Sequence, residues 1–133
     1  GTTNWGIQTA NGLAALFLAC GQDVAYVTES ATGWLELAVE PDGGLYAGLH
    51  LPNLILGTVG GGSQQGSAAE CLSILGCLGA GRARRFAEVA AATCLAGDLS
   101  LMASFVAGDF VAAHERLGRN RPGAPPGPAR GPA

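Results

Sequence analysis

Apolar positions along this chain fall into two alternating stretches and four with a helical stride. From Trp34 to Val39 the residues alternate, with Leu35, Leu37 and Val39 on one face. Pro41-Asp42-Gly43-Gly44 is a turn signal, and Leu45, Ala47, Leu49 and Leu51 alternate after it. Together they predict a β-hairpin with Tyr46 and His50 on the face opposite the leucines. Pro52 ends it. The apolar run Leu54-Ile55-Leu56, inside Asn53 to Thr58, reads as one more buried strand. Alanine- and leucine-rich sequence from Ile7 to Cys20 predicts a first helix, with Gly21 at its C-cap. A second helix is expected from Gln65 to Leu78, with Ala68, Cys71, Leu72, Leu75 and Leu78 as its stripe. A third, from Arg82 to Ala96, carries Phe86, Val89, Ala90, Thr93 and Cys94. A fourth, from Asp98 to Glu115, carries Leu99, Met102, Ala103, Val106 and Phe110. The expected class is α+β, with helices packed on a small sheet. Pro122 to Ala133 is built from Pro, Gly, Ala and one Arg; it cannot form a packed core and is expected to be a disordered tail after an ordered part over 1–121.

Composition narrows the chemistry. Apolar residues make up 48% and charged ones 13%, a rich core under a sparsely charged surface. The net charge of −3 leaves no general basic face for a polyanion, so a nucleic-acid partner is not expected. All seven basic residues are arginines, and the chain contains no lysine. Arg82, Arg84 and Arg85 form one group and Arg116, Arg119 and Arg121 another. Cys20, Cys71, Cys77 and Cys94 sit inside apolar helical patterns without any CxxC pair. They read as reduced core thiols of an intracellular protein, and no metal site is expected. The apolar run Leu13 to Cys20 is too short to span a bilayer, and no signal peptide is visible. The chain starts at Gly1 in sequence that looks mid-domain, as a fragment would.

Three stretches carry candidate chemistry. Gly57-Thr58-Val59-Gly60-Gly61-Gly62-Ser63 joins the expected strand to a helix. Three glycines in a row suit unusual dihedrals or close approach to the backbone, and a strand–turn–helix geometry aims free N–H groups at an anion or cofactor. The run is neither GxGxxG nor a Walker loop, and a glycine run of this kind is by itself more often only a tight turn. Gly21-Gln22-Asp23 puts a carboxylate just past a helix C-terminus, the unfavourable end of the helix dipole. His114 lies in the last turn of the last expected helix, where it could equally be a cap.

Asn11 through Gly21-Gln22-Asp23, the Gly57-to-Ser63 turn, and Ala96-Gly97-Asp98-Leu99-Ser100-Leu101-Met102-Ala103 followed by His114 resemble, in this order and spacing, 3-hydroxy-3-methylglutaryl-CoA reductase. The likeness covers roughly residues 9 to 121 and would make the chain the C-terminal part of that enzyme's large, substrate-binding domain. It implies a four-electron reduction of the thioester HMG-CoA to mevalonate and CoA, in two steps each using NADPH. A mevaldyl-CoA hemithioacetal and mevaldehyde are the implied intermediates. By this resemblance Asp23 belongs to a catalytic hydrogen-bond network beside an essential lysine, and His114 protonates the departing CoA thiolate. Asn11 and Leu101 contact the hydroxymethylglutaryl group. Val59, Gly60, Gly61, Gly62 and Arg119 contact the cofactor. A homodimer or tetramer with active sites at the subunit interface is implied, as is a soluble, cytoplasmic, prokaryotic-type form. The departures matter: the family's catalytic lysine, glutamate and first cofactor motif are not in this chain. Gln8 replaces a frequent histidine, and Asn120 stands where animal enzymes have a regulatory serine. For the isolated chain the competing expectation is a non-catalytic interaction or regulatory module.

Overall fold

The computed structural model describes residues 6–117. The described residues divide into two compact units, one up to Ser100 and one from Leu101. In order, the elements are α1 (Thr9–Ala19), a 3₁₀ turn (Val24–Tyr26), α2 (Val27–Ser30), β1 (Trp34–Val39), β2 (Leu45–His50), a 3₁₀ turn (Gly61–Gln64), α3 (Gly66–Ile74), α4 (Ala83–Val106) and α5 (Asp109–Leu117). Helices dominate beside one two-stranded sheet, the α+β class expected.

The hairpin forms as the alternation requires. Trp34 pairs with His50 and Val39 with Leu45, antiparallel, so the leucines share a face. Glu40 and Gly44 close the turn, Gly43 takes a φ of 85°, and Asp42 accepts a 2.8 Å bond from the Gly44 N–H. On the opposite face His50 stacks on Trp34 at 4.7 Å and lies 3.5 Å from Glu36. The apolar face packs only at its root. Leu49 touches the core, whereas Val39 is 80% exposed and Leu45 62%.

Three expectations are corrected. Leu54 to Leu56 is extended chain without a strand partner. Leu54 N–H donates to the Leu51 carbonyl at 3.3 Å and Ile55 N–H to Ser30 Oγ at 3.0 Å, and just beyond the segment Gly57 N–H donates to Gln22 Oε1 at 2.7 Å. The helix expected to reach Leu78 stops at Ile74, because Gly76 turns at φ 66° and Arg85 Nε donates to the Leu75 carbonyl. The break expected at Ala96-Gly97-Asp98 is absent, and α4 runs unbroken from Ala83 to Val106; the break falls instead at Gly108, φ 74°. Within the continuous α4 an 18-residue window has a mean hydropathy of 1.7, so by length and composition alone the helix could cross a membrane. Its buried residues Phe86, Ala90, Cys94 and Asp98 recur every four positions as a core-facing stripe.

The core of the first unit has two clusters. Leu13, Phe17, Ala31, Ala90 and Cys94 form one, and Cys20, Leu72, Cys77 and Phe86 the other, with Leu56 packed against both. Burial therefore pins α1 to α4 and holds the Leu54–Leu56 segment between them. The expected tail over 122–133, together with Arg119, Asn120 and Arg121, lies outside the described residues.

Candidate functional site

The site is built on the C-terminal end of α1. Helix α1 terminates at Cys20, after which Gly21 takes a φ of 64° and the Gln22 N–H returns to the Phe17 carbonyl at 2.8 Å. That is a Schellman closure, and it needs a residue that tolerates the left-handed region. Glycine is required for a second reason. A Cβ on Gly21 would stand 2.5 Å from the Gly62 carbonyl oxygen, and one on Gly62 would stand 2.7 Å from that of Gly21. The helix end and the glycine turn cross backbone to backbone. One of the three glycines is thus explained by the fold itself.

The other two are not. Gly60 and Gly61 have φ of 77° and 54°, and a Cβ on either would meet no atom within 4 Å. They present bare backbone to a cavity of about 260 Å³ lined by Gly21, Gln22, Asp23, Tyr26, Ile55, Leu56, Gly57, Val59, Gly60, Gly61, Gly62 and Ser63. A cavity of this size is at the small end for a ligand site and suits one ring of a cofactor, not a whole dinucleotide. The turn is braced from behind. Ser63 Oγ donates to the Gly60 carbonyl at 2.6 Å, Thr58 Oγ1 to the Gly79 carbonyl at 2.8 Å, and Gly79 N–H to the Thr58 carbonyl at 3.0 Å.

Asp23 lines the same cavity, exposed, and its carboxylate accepts the Ala25 N–H at 2.9 Å. It therefore heads the following 3₁₀ turn and sits between the end of one helix and the start of another. One carboxylate oxygen faces that turn, and the group stays accessible. Gln22 ties the arrangement together. Its Nε2 donates to the Cys20 carbonyl at 2.9 Å while its Oε1 takes the Gly57 N–H. Sequence reasoning gave Gln22, Thr58 and Ser63 no role, since polar residues in loops leave no periodic trace.

Asn11 is exposed in the first turn of α1 and does not line this cavity. In the second unit, Leu101 is half-buried and His114 is exposed on α5. His114 Nδ1 lies 2.8 Å from the Phe110 carbonyl oxygen. A carbonyl only accepts, so Nδ1 carries the proton and Nε2 is the nitrogen left for exchange. Phe110 also packs against the ring at 4.2 Å and against Phe105 at 4.5 Å.

All four cysteines are free. Burial raises the Cys20 thiol above its ordinary pKa, and Cys71 and Cys77 push the same way. Burial, with Asp98 beside it, raises Cys94 to about 11. Both stay protonated at neutral pH. Among the described residues no group of three His, Cys, Asp or Glu side chains is arranged to hold a metal.

Residues 1–119 match the family model described as hydroxymethylglutaryl-coenzyme A reductase. The chain is 44% identical over 119 residues to 3-hydroxy-3-methylglutaryl-coenzyme A reductase of Methanothermobacter thermautotrophicus, covering 90% of this chain and 30% of that protein. It is 46% identical over 110 residues to the protein of the same name from Methanocaldococcus jannaschii, covering 83% and 27%. It is 40% identical over 120 residues to 3-hydroxy-3-methylglutaryl-coenzyme A reductase 3 of Oryza sativa, covering 85% and 21%. The chain spans at most 30% of the length of these curated relatives.

Proposed function

This chain belongs to the hydroxymethylglutaryl-coenzyme A reductase family, and from that membership we propose that it is part of an NADPH-dependent enzyme reducing HMG-CoA to mevalonate and CoA. One observation carries the reading furthest. Asp23 and the turn Val59-Gly60-Gly61-Gly62, far apart in sequence, line one cavity. In this reading Gly60 and Gly61 let the cofactor approach the backbone, and Arg119 contacts its phosphate. Bound NADPH would supply the hydride. Asp23 holds and tunes the catalytic lysine, which with the glutamate comes from the remainder of the polypeptide. That lysine and its neighbouring donors stabilise the oxyanion that forms at the attacked carbonyl. Asn11 and Leu101 contact the hydroxymethylglutaryl group. The complete enzyme acts as a homodimer or tetramer with sites at the subunit interface, in a cytoplasmic, prokaryotic-type form. Isolated, this lysine-free chain is expected to be inactive, and a non-catalytic role would then be the only one open to it.

His114 is the general acid. An imidazolium gives its proton readily to a thiolate, which is the stronger base. With Nδ1 anchored to Phe110, Nε2 delivers the proton to the CoA sulfur as the carbon–sulfur bond breaks. In the complete enzyme, His114→Ala is expected to slow HMG-CoA reduction by roughly 100-fold or more. Reduction of free mevaldehyde, which expels no thiolate, should fall far less. Equal losses on both substrates would remove the role.

A further inference from the structure

Asp98 is fully buried on α4, yet its carboxylate serves α1. It accepts the Gln8 N–H at 2.6 Å and the Thr9 hydroxyl at 2.8 Å. Helix α1 has no side-chain cap of its own, because Gln8 occupies the N-cap position without a capping bond. A Ser, Thr or Asp at position 8 would satisfy the orphan donors locally. Here an acceptor from 90 residues away instead takes the N-cap residue's own N–H and fixes the helix start to another element. Neighbouring contacts repeat the constraint. Cys94 Sγ donates to the Thr9 carbonyl at 3.7 Å. The Gln8 side chain lies in a slot between Gly12 and Gly97, where a Cβ on Gly97 would meet its Oε1. That oxygen is buried without a hydrogen-bond partner. Asn11 follows two residues after Thr9, about 3 Å further along the axis, in the same first turn.

We propose that Asp98, acting through Gln8 and Thr9, is the positioning residue that sets Asn11 for the substrate. The inference rests on the reductase reading and on Asn11 as a substrate contact. Asp98 touches no reacting atom. It holds the first turn of α1 against α4, so that the exposed Asn11 amide is presented from a rigid base and not from a fraying helix end.

The test uses the complete reductase with Thr9→Val, which keeps shape and removes the hydroxyl donor, Thr9→Ser, which keeps the donor, and Asp98→Asn. Thr9→Val and Asp98→Asn are expected to raise the HMG-CoA KM roughly tenfold, while the NADPH KM moves less than about twofold. Thr9→Ser should restore the HMG-CoA KM. Combined with Asn11→Ala, the losses should fall well short of multiplying, since the contact being positioned is already gone. If Asp98→Asn does not fold, the Thr9 pair decides. A folded Thr9→Val enzyme with both KM values unmoved, equal loss on both substrates, or multiplicative losses in the cycle would overturn the proposal. An Asn11→Ala enzyme with an unmoved HMG-CoA KM would instead overturn the reading of Asn11 and the proposal with it.

Discussion

At the scale of single residues, the glycines of the site do different jobs. Gly21→Ala would combine a left-handed φ with a Cβ 2.5 Å from a backbone carbonyl that cannot swing aside. Strain alone is worth about 1–2 kcal/mol, and the crossing of the helix end with the turn must also open. The variant is expected to lose at least about 2 kcal/mol in denaturant unfolding. Gly61→Ala meets only the backbone preference, since nothing lies within 4 Å. It should lose about 1–2 kcal/mol, fold, and bind NADPH more weakly, because its methyl enters the cavity; Gly61→Val should weaken binding further. Calorimetric titration of the complete enzyme with NADPH checks this. Unchanged affinity in folded variants would count against a cofactor role for the turn. The sequence pointed to this turn because consecutive glycines need a cause. It could not tell a fold-imposed glycine, Gly62, from the open ones at 60 and 61, since that depends on the approach of Gly21.

At the scale of elements, α1 and α4 are joined by a small buried network around Thr9, Cys94 and Asp98. Its thiol titrates above its ordinary value when folded, so folding favours the protonated form. The Cys94 contribution is therefore complete below pH 9.0, the ordinary value, and is lost as pH rises toward about 11. The slope is at most about 1.4 kcal/mol per pH unit in that window. Urea midpoints between pH 8 and 11 should fall more steeply for the wild type than for Cys94→Ala. Parallel curves would deny the thiol this role. Helix α1 and the hairpin were legible from stride and alternation. Two errors share a cause. Gly97-Asp98 resembles a helix stop and start, yet Gly97 makes room for Gln8 and Asp98 caps a distant helix. Leu54-Ile55-Leu56 resembles a strand, yet Ser30 takes the Ile55 amide and Gln22 that of Gly57 just after it. In both places a tertiary partner overrode a local signal, and no local pattern announces such a partner.

At the scale of the whole molecule, the first unit brings Asp23 and the glycine turn to one cavity. Asn11 stands apart from that cavity, and Leu101 and His114 belong to the second unit. Apolar residues left exposed, among them Val39 at 80% and Ile74 at 84%, fit a chain that represents only part of its relatives' length. The central claim is that Asp23, beside the glycine turn, is catalytic. The measurement that tests it most directly is the rate of NADPH oxidation by the complete enzyme at saturating HMG-CoA, wild type against Asp23→Asn. The isosteric change keeps the acceptor for Ala25 and removes the charge. A fall in kcat of roughly 100-fold or more, with NADPH affinity retained, is the predicted result. A kcat within a few fold of wild type would contradict the account.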